Sequence, residues 1–410
     1  MKVGFMGLGK LGLPCALVAD SKGHDVYGYD INPQVEEILK TKHLPYREEG
    51  SPELLENHNI NWSSVKDMVS NSDIIFVPIQ TPHDPMYEGT TRIPDTRVDF
   101  DYSYLKSGLK TLSDEIDAQG EDKVVIIIST VLPGTIRQQI MPILSDRIKL
   151  CYNPFFIAMG TTRHDFENPE FVLFGQADKD AEALATEFYS TIHDRPVYSC
   201  SIEEAEMIKV TYNTYITMKI CLANVVMEAS HKLKNVDCDN VMKGLFLGTD
   251  RLMSSKYLLG GMGDGGGCHP RDNIALSWLA KELDMSYDWY ENLMLCREDQ
   301  TEWLAELIEQ HKGDLPVTIL GKCFKKETNL TVGSPSILLK NILDEKSIEA
   351  NMYDPWVDDS LFEPKKACYF IGTNHDAFKD YKFPAGSKVI DPWRMIEPQP
   401  GVELISVGRS

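Results

Sequence analysis

The opening stretch KVGFMGLGKLG, with the run LPCALVADSKG and then DVYGYD behind it, limits the fold of this chain more than any other segment. A short apolar strand leads into Gly7, Gly9 and Gly12, which fit the pattern G-x-G-x-x-G, and the run that follows reads as the helix such a turn opens. A second strand ends on Asp30, 18 positions beyond Gly12. Strand, glycine turn, helix, strand and acid in that order predict a βαβ unit at the head of a parallel sheet. Glycines let the backbone approach a pyrophosphate, the helix N-terminus adds partial positive charge, and the acid accepts a ribose hydroxyl while repelling a 2′-phosphate. The expectation is an NAD rather than an NADP site, built from Gly7, Gly9, Lys10, Leu11, Gly12 and Asp30. The bland alternative is a glycine-rich turn that binds nothing.

Two further apolar runs carry polar residues at their ends. SDIIFVPIQTP closes on Thr81, and KVVIIISTVLPGT closes on Ser129 and Thr130. Ligands of an open α/β sheet lie beyond the carboxyl ends of its strands, so Thr81 and Thr130 are candidates to meet the cofactor. Simple strand-end capping is the competing reading for both. KLCYNPFF and FVLFG continue the strand pattern to about residue 175.

A chain of 410 residues exceeds one ordinary core, so two or three domains are expected. Its hydrophobic share of 42% and charged share of 25% are those of a soluble globular enzyme. No apolar run is long enough to span a bilayer and the first residues lack a signal peptide's apolar block, so no membrane association and a cytoplasmic location are expected. The nine cysteines are scattered and never spaced C-x-x-C, which argues against a disulfide framework and against a zinc site, and no metal is expected. A net charge of −21 disfavours nucleic acid as a partner.

The segment SIEEAEMIKVTYNTYITMKICLANVVMEASHKL starts with the capping box Ser201 to Glu204 and continues without proline or glycine, as a helix joining domains or forming a dimer interface. Lys209 and Asn213, four apart, share a face of it and are either oxyanion donors or a solvated flank. Further on, GGGCHPRD presents Cys268 among glycines with His269 and Arg271 nearby, either a reactive thiol in a cationic field or an ordinary loop cysteine. NIALSWLAKEL and WYENLMLCREDQTEWLAELIEQH read as amphipathic helices. From KGDLPVTILGKCF onward, strands PVTILGKCF, IEANMYDP, KKACYFIG and SKVIDPW alternate with helices as a second Rossmann-like layer. The expected fold class is α/β, two Rossmann-like domains joined by a long helix and a helical dimerisation domain. The expected boundaries are 1–198, 199–312 and 313–410.

Taken in order, GLGKLG with Asp30, QTP, STVLPGT, NPFFIAMGTTRHDF, AEMIKVTYN, GDGGGCHPRD, GKCFKKET…SPS and YDP make the chain resemble the UDP-glucose/GDP-mannose 6-dehydrogenases, the nucleotide-sugar dehydrogenases, along nearly its whole length. The resemblance implies oxidation of a sugar C6 alcohol to the carboxylate by two NAD⁺ through a cysteine thioester. It implies Cys268 as nucleophile, Asp272 as its acidic partner, Lys209 and Asn213 as the oxyanion pair and Thr130 as a hydroxyl orienting the catalytic water. It also implies Arg251 as an arginine reaching the other subunit's substrate, Lys325 near the nucleotide sugar, and Tyr257 and Gly265 as further substrate-binding positions. UDP-glucose is the expected substrate, GDP-mannose or a UDP-N-acetylhexosamine the alternative, and a homodimer through the central helix the expected assembly.

Two departures stand out. Where the family usually reads Pro-Glu-Phe, this chain has Pro154, Phe155 and Phe156, without a glutamate implicated in thioester hydrolysis. Where an arginine and an acid usually precede SPS, it has Val332 and Gly333. These leave one reading from a different class, an inactive nucleotide-sugar-binding protein, against which Cys268, Lys209, Asn213 and Asp272 stand together.

Overall fold

The computed structural model describes residues 1–232, 234–249, 260–264, 266–282 and 288–409. They form two compact units, one of residues 1–82 and 100–211, the other of residues 83–99 and 212–410.

The first unit is an eight-stranded sheet. Its strands are β1 (Lys2–Met6), β2 (Asp25–Tyr29), β3 (Asn61–Trp62), β4 (Ile74–Val77), β5 (Lys123–Ile127), β6 (Ile148–Tyr152), β7 (Val172–Gln176) and β8 (Val197–Cys200), in the order β3-β2-β1-β4-β5-β6-β7-β8. Neighbours are parallel except β6 and β7. β4 and β5 are buried at every residue, which is why the sequence shows them as unbroken apolar runs rather than alternating ones. The helix Gly12–Ser21 buries Gly12 through Ala19, so it too is apolar all round. Phe5 and Phe76 stack at 5.3 Å in the core beneath it. Because β1 lies between β2 and β4, the strand order reverses there, and ligands of such sheets bind beyond the carboxyl ends of the strands at this point.

The second unit holds a five-stranded parallel sheet in the order β10-β9-β11-β12-β13, made of β9 (Val317–Leu320), β10 (Ala350–Tyr353), β11 (Cys368–Ile371), β12 (Lys388–Asp391) and β13 (Glu403–Ser406). Leu338, Leu339 and Ile342 of the helix Pro335–Glu345 pack on Ile319, Phe370 and Ile390, and Leu304 and Ile308 of the helix Trp289–Lys312 complete this core. The two mainly parallel sheets with helical crossovers bear out the two expected Rossmann-like domains. β13 was not foreseen in the sequence.

The helix Ile202–Lys232 runs from one unit into the other, and its start is the expected capping box: the Glu204 amide donates to Ser201 Oγ at 3.3 Å and the Ser201 amide to Glu204 Oε2 at 2.8 Å. Segment 83–99 has no period to betray it in the sequence, yet it belongs to the second unit through ionic contacts. Arg92 bridges Glu302 at 2.6 Å and Glu345 at 3.0 Å, and Arg97 pairs with Glu291. Among the described residues no helix is long and apolar enough to cross a membrane.

Candidate active site

In the first unit the glycine turn has the shape a dinucleotide needs. A Cβ on Gly12 would stand 2.0 Å from the Gly7 carbonyl oxygen, so only glycine lets the helix start this close to β1. A Cβ on Gly9 would meet no protein atom within 4 Å, so that face of the turn is open to a ligand. No side chain caps the helix at Leu11, so its first amides are not spent on a cap. Asp30 follows β2; its Oδ2 accepts the Leu8 amide at 2.7 Å and its Oδ1 the Asn32 amide at 2.8 Å. Each oxygen keeps a lone pair for a ribose hydroxyl while the carboxylate ties β2 to the turn. Lys10 is exposed, with its ammonium 5.8 Å from the centre of the Tyr46 ring. These residues fit NAD.

Thr81 and Thr130 meet at the carboxyl ends of β4 and β5, where Thr81 donates its hydroxyl to the Thr130 carbonyl at 2.7 Å. Thr81 therefore clamps the two strand ends, and the half-buried Thr130 side chain is the freer of the two hydroxyls to serve chemistry. On the long helix Lys209 is buried, with its ammonium 5.5 Å from the centre of the Phe156 ring, so it is no solvated flank. Phe155, expected to stand where the family has a glutamate, is partly buried and packs on the core of this unit, its ring 5.4 Å from that of Phe166.

In the second unit Cys268 is exposed and begins the helix Cys268–Glu282, whereas the sequence pattern placed that helix later. One turn on, Asp272 is fully buried. Its Oδ2 accepts the side-chain amide of Asn213 and its Oδ1 lies 3.1 Å from Arg271 Nε. Burial opposes the charge on Arg271, but Asp272 and Cys268 outweigh it and hold the guanidinium above its ordinary value. His269 Nδ1 lies 2.8 Å from the Thr217 hydroxyl. The buried His83, which the sequence reading passed over, is pushed down to about 4 by burial and by Arg271, with Asp272 opposing, and is neutral at physiological pH.

Gly266 and Gly267, just before Cys268, make room for protein. Gly266 has φ +121, and a Cβ on it would meet the Phe324 ring at 2.5 Å; a Cβ on Gly333, at φ +72, would stand 2.2 Å from the Cα of Gly267. The loop is also gripped by residues no motif singled out. Asn224 donates to the Gly263 carbonyl at 2.8 Å and accepts the Gly261 amide at 2.9 Å, and Asp264 pairs with Arg297 at 2.9 Å in full burial. Lys325 lies in the loop after β9, half-buried. Asp354 at the end of β10 holds that loop, accepting the Lys322 amide at 2.6 Å and the Cys323 amide at 3.1 Å. Because the Glu327 amide donates to His375 Nδ1, it is Nε2 that carries the proton given to Asp354. Arg251, Tyr257 and Gly265 lie outside the described residues.

A glycine turn with a ribose-type acid at the switch point of a parallel sheet places this chain among the NAD-dependent oxidoreductases. It belongs to the UDP-glucose/GDP-mannose dehydrogenase family, whose NAD binding domain matches residues 1–193 and whose central domain matches residues 203–296. It is 28% identical to the GDP-mannose 6-dehydrogenase of Pseudomonas aeruginosa, over 86% of this chain and 81% of that protein. To the UDP-glucose 6-dehydrogenase AglM of Haloferax volcanii it is 27% identical, over 88% of this chain and 85% of that one. A UDP-glucose dehydrogenase structure from Pyrobaculum islandicum shares the fold with a TM-score of 0.85 at 23% identity, covering 100% of this chain and 98% of that one.

Proposed function

We propose that this protein oxidises the C6 alcohol of a nucleotide sugar to the uronic acid in two NAD-dependent steps through a thioester on Cys268, with UDP-glucose as substrate. The observation that carries the reading is Cys268 itself, an exposed thiol at a helix start with the buried Asp272–Asn213 contact one turn behind it.

NAD supplies the hydride acceptor in both oxidations. Lys209 and Asn213 donate hydrogen bonds to the C6 oxygen as its proton passes to water and the C6 hydride to NAD⁺, steadying the negative charge while the carbon becomes an aldehyde. The Cys268 sulfur then adds to the aldehyde carbon and gives a thiohemiacetal, which loses its hydroxyl proton and a second hydride to become the thioester. Water attacks the thioester carbonyl, the C–S bond breaks, and the carboxylate leaves with Cys268 restored. Thr130 orients that water and Asp272 takes its proton. With Phe155 turned into the core, no glutamate shares this task, and Asp272 is already engaged by Arg271 and Asn213. Hydrolysis is accordingly the slow step. Lys325 approaches the nucleotide sugar, and the long helix forms the homodimer contact within the three-part division 1–198, 199–312 and 313–410.

A second reading, GDP-mannose as substrate, is favoured by the 28% identity to a GDP-mannose 6-dehydrogenase. Incubation with NAD⁺ and a panel of nucleotide sugars, following NADH, separates the two. NADH from UDP-glucose supports the first reading and NADH from GDP-mannose alone the second. No NADH from any nucleotide sugar sinks both.

A further inference from the structure

Glu206, on the long helix, has no exposed surface, and the activity as proposed gives it no task. Its two carboxylate oxygens each accept a backbone amide from the turn beyond Thr130: Gly134 at 2.6 Å and Ile136 at 2.8 Å. The same turn is held at two other points. The Thr81 hydroxyl reaches the Thr130 carbonyl at 2.7 Å, and the Tyr102 hydroxyl accepts the Leu132 amide at 3.2 Å and lies 3.3 Å from Thr135 Oγ1. The Thr81 hydroxyl carries no charge at any working pH and keeps its hydrogen bond. Glu206 does not have that constancy, because a protonated carboxyl turns one of its two acceptor oxygens into a donor, and a donor facing an amide N–H repels it.

We propose that Glu206 is a positioning residue for the reaction: ionised, it holds the amides of Gly134 and Ile136 and so fixes the turn that sets the Thr130 side chain, and protonated, it releases one of them. The inference rests on the reading that Thr130 serves the chemistry. Burial pushes the Glu206 carboxyl up to about 7, against the pull of the two amides. Besides Lys209, three residues on along the same helix, the charged groups that act on it include Glu203, one turn back, which raises it further, and Arg137 of the segment it caps, which lowers it. Those two pair with each other at 2.5 Å at the surface, so they nearly cancel in their effect on Glu206. A group that titrates at this point divides its population between clamped and released states in the range where an enzyme works.

The test is the pH profile of the rate at saturating NAD⁺ and nucleotide sugar, in the wild type and in Glu206→Gln. With only the ionised form competent, the wild-type rate falls about tenfold from pH 8 to pH 6. Glutamine keeps one acceptor and never a second, so its profile over that range is flat and lies at least about tenfold below the wild type at pH 8, with the KM for NAD⁺ little changed. A variant that keeps the wild-type slope, or the wild-type rate, overturns the proposal. Hydrogen exchange in the unmodified protein gives a second test that needs neither turnover nor a folded variant. Protection of the Gly134 and Ile136 amides, corrected for the intrinsic rate, should drop about tenfold between pH 8 and pH 6. Equal protection at the two pH values overturns the clamp even if the enzyme is active. Absence of turnover with every nucleotide sugar, with the exchange result intact, would instead remove the proposed activity and leave the clamp standing.

Discussion

The side-chain amide of Asn213 donates to one oxygen of the buried Asp272 carboxylate while Arg271 Nε holds the other at 3.1 Å. The helix of Asn213 and the helix of Cys268 are thereby joined through one carboxylate. If that carboxylate also takes the proton of the hydrolytic water, Asp272→Asn slows hydrolysis without touching the nucleophile. The turnover rate should fall on the order of 10²–10³-fold. Intact-mass spectrometry after acid quench should show more of the sugar adduct on the protein than in the wild type. Normal turnover with no trapped adduct would assign the proton to another group.

Gly333 lies against Gly267, the residue before Cys268, and its φ of +72 is one that side-chain-bearing residues rarely adopt. An alanine there would press backbone on backbone, which cannot yield as a flexible side chain does. Gly333→Ala should cost on the order of 2–3 kcal/mol of stability and lower kcat more than it raises KM, by moving the cysteine loop. Val332 is 54% exposed, so Val332→Arg should leave the melting temperature unchanged. A wild-type melting temperature and rate for Gly333→Ala would show that this contact does not hold the loop.

Asp30 accepts two backbone amides beside the glycine turn, and we propose that its carboxylate also takes the adenosine ribose of NAD. A 2′-phosphate brought there meets like charge, so kcat/KM for NAD⁺ should exceed that for NADP⁺ by about 10²-fold or more. Similar values for the two cofactors would place the adenosine ribose elsewhere.

His83 supplies a pH dependence of stability. Its folded value, pushed down to about 4 by burial and by Arg271, lies below the unfolded one of about 6.5, so protonation favours the unfolded chain. The neutral imidazole's contribution is complete above pH ~6.5 and is lost as the pH falls toward 4, in total on the order of 3 kcal/mol. Urea midpoints should decline between pH 6.5 and 4, and His83→Gln should flatten that decline. An equally steep decline in the variant would move its origin to other groups.

The parts of this protein that were legible in the sequence are those whose cause is local. The glycine turn with Asp30, the apolar runs of β4 and β5 and the Ser201–Glu204 capping box each lie within a few dozen residues and leave a pattern. What was hidden depends on partners far along the chain. Glu206 reads as one more helical acid until Gly134, 72 positions away, is seen to donate to it. Asp264 looks like a loop residue until Arg297 reaches it. The glycines before Cys268 gave no sign of what packs on them, and the structure sets Phe324 against Gly266 and Gly333 against Gly267. The phenylalanine at position 155 was plain in the sequence, but its packing against Phe166 was not.

The central claim is that Cys268 retains the aldehyde for a second oxidation, and the stoichiometry of NADH tests it most directly. NADH formed and nucleotide sugar consumed would be measured in the same reaction, for the wild type and for Cys268→Ala, with NAD⁺ binding as a check on folding. The account predicts two NADH per sugar for the wild type, and no complete turnover with NAD⁺ binding intact for the variant. One NADH per sugar with release of free aldehyde, or an undiminished yield of two from Cys268→Ala, would contradict it.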